Sequence, residues 1–365
     1  MRILVLNTGS SSVKYRLFDG TETVSKGLIE RIGESGGDAP DHEAALRRIM
    51  DSVDLGRLGA VGHRVVHGAG EFDRATVIDD HVVTVIEQLV PLAPLHNPPA
   101  LAGIAVARKL LADVPQVAVF DTAFHATIPP AGRVWAIDAD LAERWQIRRY
   151  GFHGTSHAYV SRRTAELLGL DHGRADVITL HLGNGASACA VSGGRSVATS
   201  MGMSPQGGLV MGTRSGDIDP TVVFHLHRVA GLPIEEIERS LTRYAGLLGL
   251  TGDNDLRAVL ARTDERARLA IDVYCRRIRE YVGAYLAVLG RADAIAFTGG
   301  VGENSAPVRR AVMSGLGSLG IELDEARNAA GETIISTDES PITVCVVPTD
   351  EELEIAIQSA RALAG

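Results

Sequence analysis

Short apolar runs typical of buried strands alternate along this chain with longer segments in which apolar residues recur every three or four positions. The strand-like runs lie at 2–6, 13–18, 60–66, 116–121, 177–182, 188–191, 293–298 and 342–347. Helical spacing occurs at 42–54, 98–112 and 265–289, and again from position 351 to the C-terminal end. Such alternation of strands and helices predicts an α/β fold.

A strand, a turn of small residues and a second strand occur twice, at 2–18 and at 177–191. Gly9 and Gly183 occupy comparable places in the two turns. The repeat predicts an internal duplication, in which two related α/β halves each open with a turn of a size suited to a phosphate.

Composition narrows the classes of function. Lys and Arg number 36 and Asp and Glu 45, so the net charge is −9, which argues against a general nucleic-acid-binding surface. Cys189, Cys275 and Cys345 lie in apolar surroundings without a CxxC pair, so we expect reduced core thiols. The start of the chain lacks a signal-peptide pattern, and no apolar run reaches the ~18 residues that span a bilayer. We therefore expect a cytoplasmic protein without membrane or nucleic-acid partners.

Three glycine-rich turns follow apolar strands, NTGSSS at 7–12, GNGAS at 183–187 and GGVGEN at 299–304. Glycine allows backbone amides to approach a phosphate closely. Each turn alone is also the pattern of an ordinary connection, but three in one chain favour a nucleotide ligand. None fits the P-loop or the GxGxxG fingerprint, so neither a P-loop enzyme nor a dinucleotide-binding fold is expected.

Charged side chains among small or apolar neighbours are candidates for chemistry. Arg64 ends a strand in GHRVVHG, and Arg214 lies in MGTRSGDIDP; burying either is costly unless it meets an anion, whether a ligand or a structural carboxylate. Asp121 ends a strand and Glu351 opens a helix, positions that suit Mg²⁺, although Asp121 is equally typical of a helix cap or turn. His153 lies between glycines just before a helix, where a side chain can face a cleft.

Together these stretches resemble the acetate kinase family, within the superfamily of sugar kinases, heat-shock chaperones and actin. The matching segments follow the family's order along the whole chain: 6–15, 62–68, 92–99, 120–129, 148–157, 181–187, 199–202, 208–220, 246–252, 255–257, 299–305 and 347–352. The resemblance implies two related α/β domains of the duplicated, ribonuclease H-like actin ATPase fold, with a nucleotide cleft between them. The first would span 1–124 plus 354–365 and the second 125–353.

The resemblance also implies individual roles. Asp121 would be the essential acidic residue, Arg64 would bind the carboxylate substrate, and His153 and Arg214 would stabilise the transition state. The small apolar pocket for the acyl group would consist of Val66, Leu95, Phe152 and Pro205. Mg²⁺, with Mn²⁺ as an alternative, would be held by Asn7 and Glu351. ATP or ADP would be surrounded by Lys14, His181, Leu182, Gly183, Asn184, Gly185, Asp255, Leu256, Arg257, Gly300, Val301, Gly302, Glu303 and Asn304.

The implied reaction is reversible, in-line transfer of a phosphoryl group from ATP to acetate, giving acetyl phosphate and ADP. Acetate is already ionised at neutral pH, so the site needs to neutralise charge rather than to supply a base. The nearest alternative substrate is propionate or another short-chain carboxylate; a nucleotide-dependent conformational switch of the same superfamily is a more distant alternative. The resemblance further implies a homodimer joined through the second domain, to which the helix at 265–289 contributes surface unless it is core.

Three sites depart from the family's usual residues. SPQGG at 204–208 stands where an acidic residue and a leucine are usual, Asp350 stands for Asn, and Ala198 stands for Asp. The first change affects the acyl-pocket wall around Pro205, and the second lies beside the predicted metal ligand Glu351.

Overall fold

A computed structural model of the chain describes residues 1–364. The strands are β1 (Arg2–Thr8), β2 (Val13–Asp19), β3 (Glu22–Ile29), β4 (Leu58–Val65), β5 (Thr76–Val77), β6 (Gln116–Phe120), β7 (Asp176–Leu182), β8 (Ala186–Ser192), β9 (Arg195–Thr199), β10 (Ala294–Thr298) and β11 (Thr343–Val346). The helices are α1 (His42–Ser52), α2 (Asp80–Gln88), α3 (Asn97–Leu110), α4 (Pro130–Arg133), α5 (Ala139–Arg144), α6 (Gly154–Leu167), α7 (Thr221–Arg228), α8 (Ile234–Arg243), α9 (Gly246–Thr251), α10 (Leu256–Leu260), α11 (Glu265–Leu289), α12 (Gly299–Asn304), α13 (Ala306–Met313), α14 (Glu325–Ala330) and α15 (Glu351–Ala364).

The chain forms two compact units. The first contains Met1–Ala126, Phe152–Ser156 and the chain from Asp350 onward; the second contains Thr127–Gly151 and His157–Thr349.

The first unit is built on a six-stranded sheet in the order β3-β2-β1-β4-β6-β5. Its strand β1 is apolar on both faces because helices cover both sides of the sheet. Leu4 and Leu6 belong to a core shared with α1 and α3. Ile3 and Val5 point to the opposite face, where they pack in a core that includes α15.

The second unit is built on a five-stranded sheet in the order β11-β10-β7-β8-β9. β7 is antiparallel to β8 and parallel to β10, as β1 is antiparallel to β2 and parallel to β4. The order β9-β8-β7-β10-β11 repeats the order β3-β2-β1-β4-β6 of the first unit, with the same strand directions. The duplication predicted from the two hairpins is therefore present.

The predicted strands and helices form, with ends that shift by at most two residues, and α11 occupies the predicted range 265–289. One prediction was wrong: GGVGEN is not a turn but the short helix α12. Its start is capped from within the segment, because Glu303 Oε1 accepts hydrogen bonds from Gly299 N at 2.9 Å and from the Thr298 hydroxyl at 3.3 Å.

The apolar stripe of α11 lies inside the second unit. Tyr274, Ile278 and Tyr285 are buried, and the helix packs against β8, α9 and α13. Of the two interpretations of this stripe, the structure favours core.

The three cysteines are buried and unbonded to one another, as expected. Burial raises the pKa of the Cys189 and Cys345 thiols to about 12, so both stay protonated. Within residues 1–364, every helix is too short or too polar to cross a membrane.

Candidate active site

The first unit brings three predicted site residues together. Arg64 of β4 donates through Nε and Nη2 to the carboxylate of Asp121, directly after β6, at 3.0 and 2.7 Å. Because β4 and β6 are parallel neighbours, the ends of both strands lie at one edge of the sheet. Glu351, the first residue of α15, has Oε2 at 3.9 Å from Arg64 Nη2 and accepts a hydrogen bond from the Thr155 hydroxyl at 3.3 Å.

Burial governs the ionisation of this group. The Asp121 side chain is 1% exposed. Burial raises the pKa of its carboxyl, against the lowering effect of the Arg64 guanidinium. Burial also lowers the pKa of Arg64, but the Asp121 and Glu351 carboxylates outweigh it and the pKa is raised. Arg64 therefore stays charged, and its partner in this structure is a carboxylate of the protein itself.

The loop before α6 lies against the backbone of Asp121. Gly154 N donates to Asp121 O at 3.0 Å, and a Cβ at Gly154 would lie only 2.2 Å from that oxygen. The preceding residue, His153, has φ of 57°, a conformation uncommon outside glycine that persists where its surroundings enforce it. His153 is thus held one residue from a fixed backbone contact with Asp121.

The residues predicted to enclose the acyl group differ in burial. Phe152 is 2% exposed, and its ring packs edge-on against His67 with centroids 5.4 Å apart. Val66 is half-buried, whereas Leu95 is 61% exposed and forms no buried wall in this structure. Pro205 belongs to the second unit.

Two polar residues that bind the backbone of the segment after β4 were missed by sequence reasoning. The Asn97 side chain accepts from His67 N at 3.2 Å and donates to His67 O at 3.1 Å. The Thr122 hydroxyl accepts from Gly68 N at 3.0 Å. Together they fix the segment after β4 to α3 and to the segment after β6. Asn97 precedes two prolines, a pattern that indicates a helix start and not this contact.

The predicted metal ligands offer hard oxygen donors. Asn7 lies near the end of β1, opposite Lys14 of β2, and Lys14 Nζ lies 2.5 Å from Glu352 Oε1. Among the described residues, no group of three or more His, Cys, Asp or Glu side chains is arranged to hold a metal. An amide oxygen and one carboxylate nevertheless fit Mg²⁺, which keeps several waters and takes its other ligands from nucleotide phosphates.

Arg214 lies in the second unit and differs from Arg64 in its partners. Its Nη1 donates to the carbonyl oxygen of Pro205 at 2.6 Å, and within residues 1–364 it forms no ion pair. Burial lowers the pKa of this guanidinium. A largely buried cation whose charge meets only a carbonyl dipole gains from a bound anion.

A cavity of about 760 Å³ lies within the second unit. Its lining includes eight residues predicted to surround the nucleotide, namely Gly183, Asn184, Asp255, Leu256, Arg257, Gly300, Val301 and Asn304. It also includes seven that were not predicted, namely Gly212, Leu247, Asn254, Leu260, Tyr274, Ser305 and Pro307. His181, Leu182, Gly185, Gly302 and Glu303 lie nearby in sequence but do not line it, and Lys14 belongs to the first unit.

Glycines at and beside the cavity lie where a larger residue would clash or would fill open space. Gly212 N donates to Asn184 O at 3.0 Å, and a Cβ at Gly212 would lie 2.0 Å from Asn184 Oδ1. Gly299 has φ of +75° and abuts the Leu182 backbone. A Cβ at Gly300 would meet nothing within 4 Å, so this backbone borders open space.

Arg309, another residue missed from sequence, supports α12. It is 1% exposed, and its Nη1 donates to the carbonyl oxygens of Gly302 and Glu303 at 2.9 Å each. Its Nε donates to Asn328 Oδ1 at 2.9 Å. A cation at the carboxyl end of a helix is favourably placed, so Arg309 holds the segment that lines the cavity.

The sequence matches the acetokinase family over residues 2–357. This chain belongs to the acetokinase family.

Individual acetate and propionate kinases are similar to this chain over nearly its full length. The acetate kinase of Streptomyces griseus is 55% identical over 392 aligned residues, which cover 98% of this chain and 95% of that protein. The crystal structure of Porphyromonas gingivalis acetate kinase has a TM-score of 0.93 at 41% identity and covers 99% of both chains. A propionate kinase from Francisella tularensis has a TM-score of 0.92 at 39% identity and covers 98% of both. The predicted actin-like ATPase fold is confirmed.

Two of the three departures from the usual acetokinase residues make specific contacts in this structure. Asp350 caps α15 by accepting from Leu353 N at 2.9 Å, and its two carboxylate oxygens each lie 2.8 Å from Arg16 Nη1. In the 204–208 loop, the Gln206 side chain donates to Leu241 O at 3.1 Å. Asp350 and Gln206 therefore each hydrogen-bond to neighbouring residues. Nothing in the structure explains Ala198.

Proposed function

We propose that this chain is an ATP:acetate phosphotransferase, which reversibly converts acetate and ATP to acetyl phosphate and ADP. Membership in the acetokinase family over residues 2–357 carries this proposal. The curated relatives at 52–55% identity are acetate kinases, which favours acetate over a longer acid.

The adenine nucleotide is proposed to bind in the cavity of the second unit. The cavity's volume of about 760 Å³ suits a ligand of this size. Gly183, Gly212 and Gly300 line it and allow close backbone approach to phosphates, whereas Leu247 and Leu260 offer apolar surface to a planar base.

Arg64 is proposed to bind the carboxylate of acetate. Its Nε and one Nη2 hydrogen already bind Asp121, which leaves the two Nη1 hydrogens and the second Nη2 hydrogen for an incoming anion. Its side chain remains 22% exposed, so a ligand can reach it. Asp121 then acts by fixing the guanidinium and organising water, since an ionised nucleophile needs no proton acceptor.

Asn7 and Glu351 would hold Mg²⁺ or Mn²⁺ together with nucleotide phosphates, and the ion would neutralise phosphate charge. Arg214 and His153 are proposed to stabilise the negative charge on the phosphoryl group during transfer. The lack of an ion-pair partner for Arg214 among the described residues supports this role. A cation that meets developing charge lowers the barrier more than one already neutralised.

The domain assignment, 1–124 plus 354–365 and 125–353, remains a proposal, as do the cytoplasmic location and the homodimer. Exposed apolar side chains on the second unit support a dimer; Phe224, Val229, Ile234 and Tyr244 are 52–70% exposed. Light scattering that gives a monomer mass at micromolar concentration would contradict it.

The proposed function is tested by trapping acyl phosphate with hydroxylamine across a series of short carboxylates in the presence of ATP and Mg²⁺. We expect the highest catalytic efficiency with acetate. A higher catalytic efficiency with propionate would make propionate the preferred substrate. The two acids differ by one methylene, which in an apolar pocket changes the efficiency by only about 10- to 200-fold. Slow ATP hydrolysis without hydroxamate formation from any acid would indicate a nucleotide-dependent switch.

A further inference from the structure

One short segment of the second unit binds four successive carbonyl groups, beginning at the last residue of β9. Arg149 Nη1 donates to the carbonyl oxygens of residues 199, 200 and 201 at 2.9, 3.0 and 3.1 Å. The carbonyl oxygen of Gly202 accepts from Tyr150 N and Gly151 N at 3.0 and 3.2 Å. An arginine that binds three consecutive carbonyls fixes the backbone of that stretch.

The guanidinium of Arg149 is itself held in place. Its central carbon lies 4.6 Å from the centre of the Trp135 ring, within the range of a cation–π contact. Gly202 lies against the same ring, since a Cβ at this position would be 3.2 Å from Trp135. We call Arg149, Trp135 and the bound carbonyls of residues 199–202 the Arg149 clamp.

The two segments joined by the clamp continue into residues predicted to enclose the acyl group. Phe152 follows Gly151 directly, and Pro205 lies three residues beyond Gly202. The carbonyl oxygen of Pro205 accepts from Arg214 Nη1 at 2.6 Å. The clamp therefore fixes one end of the loop that carries Pro205.

The far end of this loop is fixed at Gly208. Gly208 N donates to Asp217 Oδ1 at 2.7 Å, and Gly208 O accepts from Arg277 Nη1 at 3.2 Å. The stretch SPQGG at 204–208 offers a single apolar side chain, that of Pro205. The backbone between the two fixed ends thus decides where this side chain lies.

We propose that Arg149 is a positioning residue that sets the selectivity between short carboxylic acids, because it holds the loop that carries Pro205. The inference rests on the proposed function, since it takes Pro205 to bound the acyl group. Arg149 acts through the backbone of residues 199–201 and not by contact with the acid.

Two substitutions of Arg149 separate its hydrogen bonds from its bulk. Arg149→Met keeps an unbranched apolar stem but removes every donor to the three carbonyls. The released loop should admit a larger acid, so the ratio of catalytic efficiency with acetate to that with propionate should fall about 10-fold, the lower end for one methylene. Arg149→Lys keeps three donors on one nitrogen and should recover part of the ratio. The Kd for ADP should not change, because Arg149 does not line the cavity of the second unit.

Arg279→Met is the matched control. Arg279 is half-buried, as Arg149 is, and also binds backbone carbonyls, since its Nε donates to Val312 O at 3.0 Å. It holds the end of α13 instead of the loop that carries Pro205. We expect a shift of the urea midpoint similar to that of Arg149→Met, with an unchanged ratio of acetate to propionate efficiency.

Hydroxamate kinetics with acetate and propionate, together with urea unfolding and calorimetric titration of ADP, test the proposal. A fall in the ratio in Arg149→Met that exceeds the fall in Arg149→Lys and is absent from Arg279→Met supports it. An unchanged ratio in Arg149→Met, an equal fall in Arg149→Lys, or an equal fall in Arg279→Met overturns it.

Trp135→Leu keeps the proposal testable if Arg149→Met does not fold. It removes only the stacking partner of the guanidinium, so the ratio should fall by about 2- to 5-fold, the value of one cation–π contact. An unchanged ratio in this variant would then overturn the proposal. If wild type forms hydroxamate from neither acid, the proposed function fails, and that result differs from an unchanged ratio in the variants.

Discussion

Replacing Arg64 or Arg214 by Ala should lower activity in both cases, but only the Arg64 variant should lose much free energy of unfolding. Arg64 is in a two-point ion pair with Asp121, whereas Arg214 donates to one carbonyl and, among residues 1–364, forms no ion pair. Both are proposed to act on anions in the reaction. Their different partners in the ligand-free protein therefore predict different losses of folding free energy alongside a shared loss of activity.

The expected magnitudes follow from these contacts. Arg64→Ala leaves the Asp121 carboxylate buried without its cation, a change that costs about 3–5 kcal/mol in buried pairs. Because burial raises the pKa of Asp121, the carboxyl can take up a proton, so we expect the lower end. Arg214→Ala loses one hydrogen bond, about 1 kcal/mol. It also removes the desolvation of an unpaired charge, so its net effect should stay within about 1 kcal/mol of zero.

Activity should fall in both variants, in different ways. Arg64→Ala should raise the acetate KM and lower kcat, because the carboxylate is held in ground and transition states alike. Arg214→Ala should lower kcat by about 10³–10⁵-fold if it acts as arginine fingers do. Arg214→Lys should recover little, since an ammonium lacks the planar fork. His153→Ala should lower kcat by about 10²–10³-fold with little change in the acetate KM.

Urea unfolding and hydroxamate kinetics on the same preparations test this separation. Arg47→Ala serves as the control, since Arg47 is 53% exposed and paired with Glu43 on one helix face. It should change neither quantity appreciably. The reasoning would be refuted if Arg214→Ala were as destabilised as Arg64→Ala, or if it melted normally and turned over at the wild-type rate.

Three further changes test individual features. Burial lowers the pKa of His63 from 6.5 to about 4, so the stability that depends on its neutral form is fully present above pH 6.5 and falls by about 3 kcal/mol as the pH falls toward 4. His63→Gln should flatten the pH profile of the urea midpoint across this window. An unchanged profile would exclude His63 as the cause. Gly300→Ala should weaken ADP binding in a titration without unfolding the protein, whereas Gly283→Ala, equally unobstructed but outside the cavity lining, should add about 0.5–1 kcal/mol of stability with unchanged binding. Asp350→Asn keeps the cap of α15 but gives up the ion pair with Arg16, so urea unfolding should show a loss of about 1 kcal/mol with turnover near wild type; a large loss of turnover would instead give Asp350 a part in the metal site.

The sheets were predictable from sequence because their signal is local. β1 is a continuous apolar run since helices cover both of its faces, and α11 shows its period over the whole of 265–289. The short helices between 221 and 260 were not predicted. Helices α7, α9 and α10 are 8, 6 and 5 residues long, too short for a clear apolar period. Helix α8 does show one, with Ile234, Ile237 and Leu241 at spacings of three and four, and that signal was overlooked. Helix α12 was missed because glycine is a poor helix former, and its start depends on the Glu303 side chain folding back onto Gly299.

The candidate site was predictable only in part, for a different reason. Sequence singled out Arg64 and Asp121 separately, but their pairing depends on β4 and β6 being neighbours, although the residues lie 57 positions apart. Asn97 and Arg309 bind backbone carbonyls or amides, and no sequence pattern encodes that. Tyr274 fits the apolar period of α11, so its sequence signal is that of a core residue. Only the structure shows that it lines the cavity and that its buried hydroxyl lacks a hydrogen-bond partner among the described residues.

The absence of an ion-pair partner for Arg214 among the described residues is explained by a site in which a bound anion supplies the missing charge. All proposed substrates are anions, so a cation already neutralised by the protein would have little left to offer the transition state. Leaving a buried cation without a counter-charge lowers the stability of the ligand-free chain, a frequent cost of function. Binding restores that stability by mass action, so ADP at 100 times its Kd should add about 2.7 kcal/mol to the free energy of unfolding. The cation that weakens the free protein is then one through which it stabilises the reacting anions.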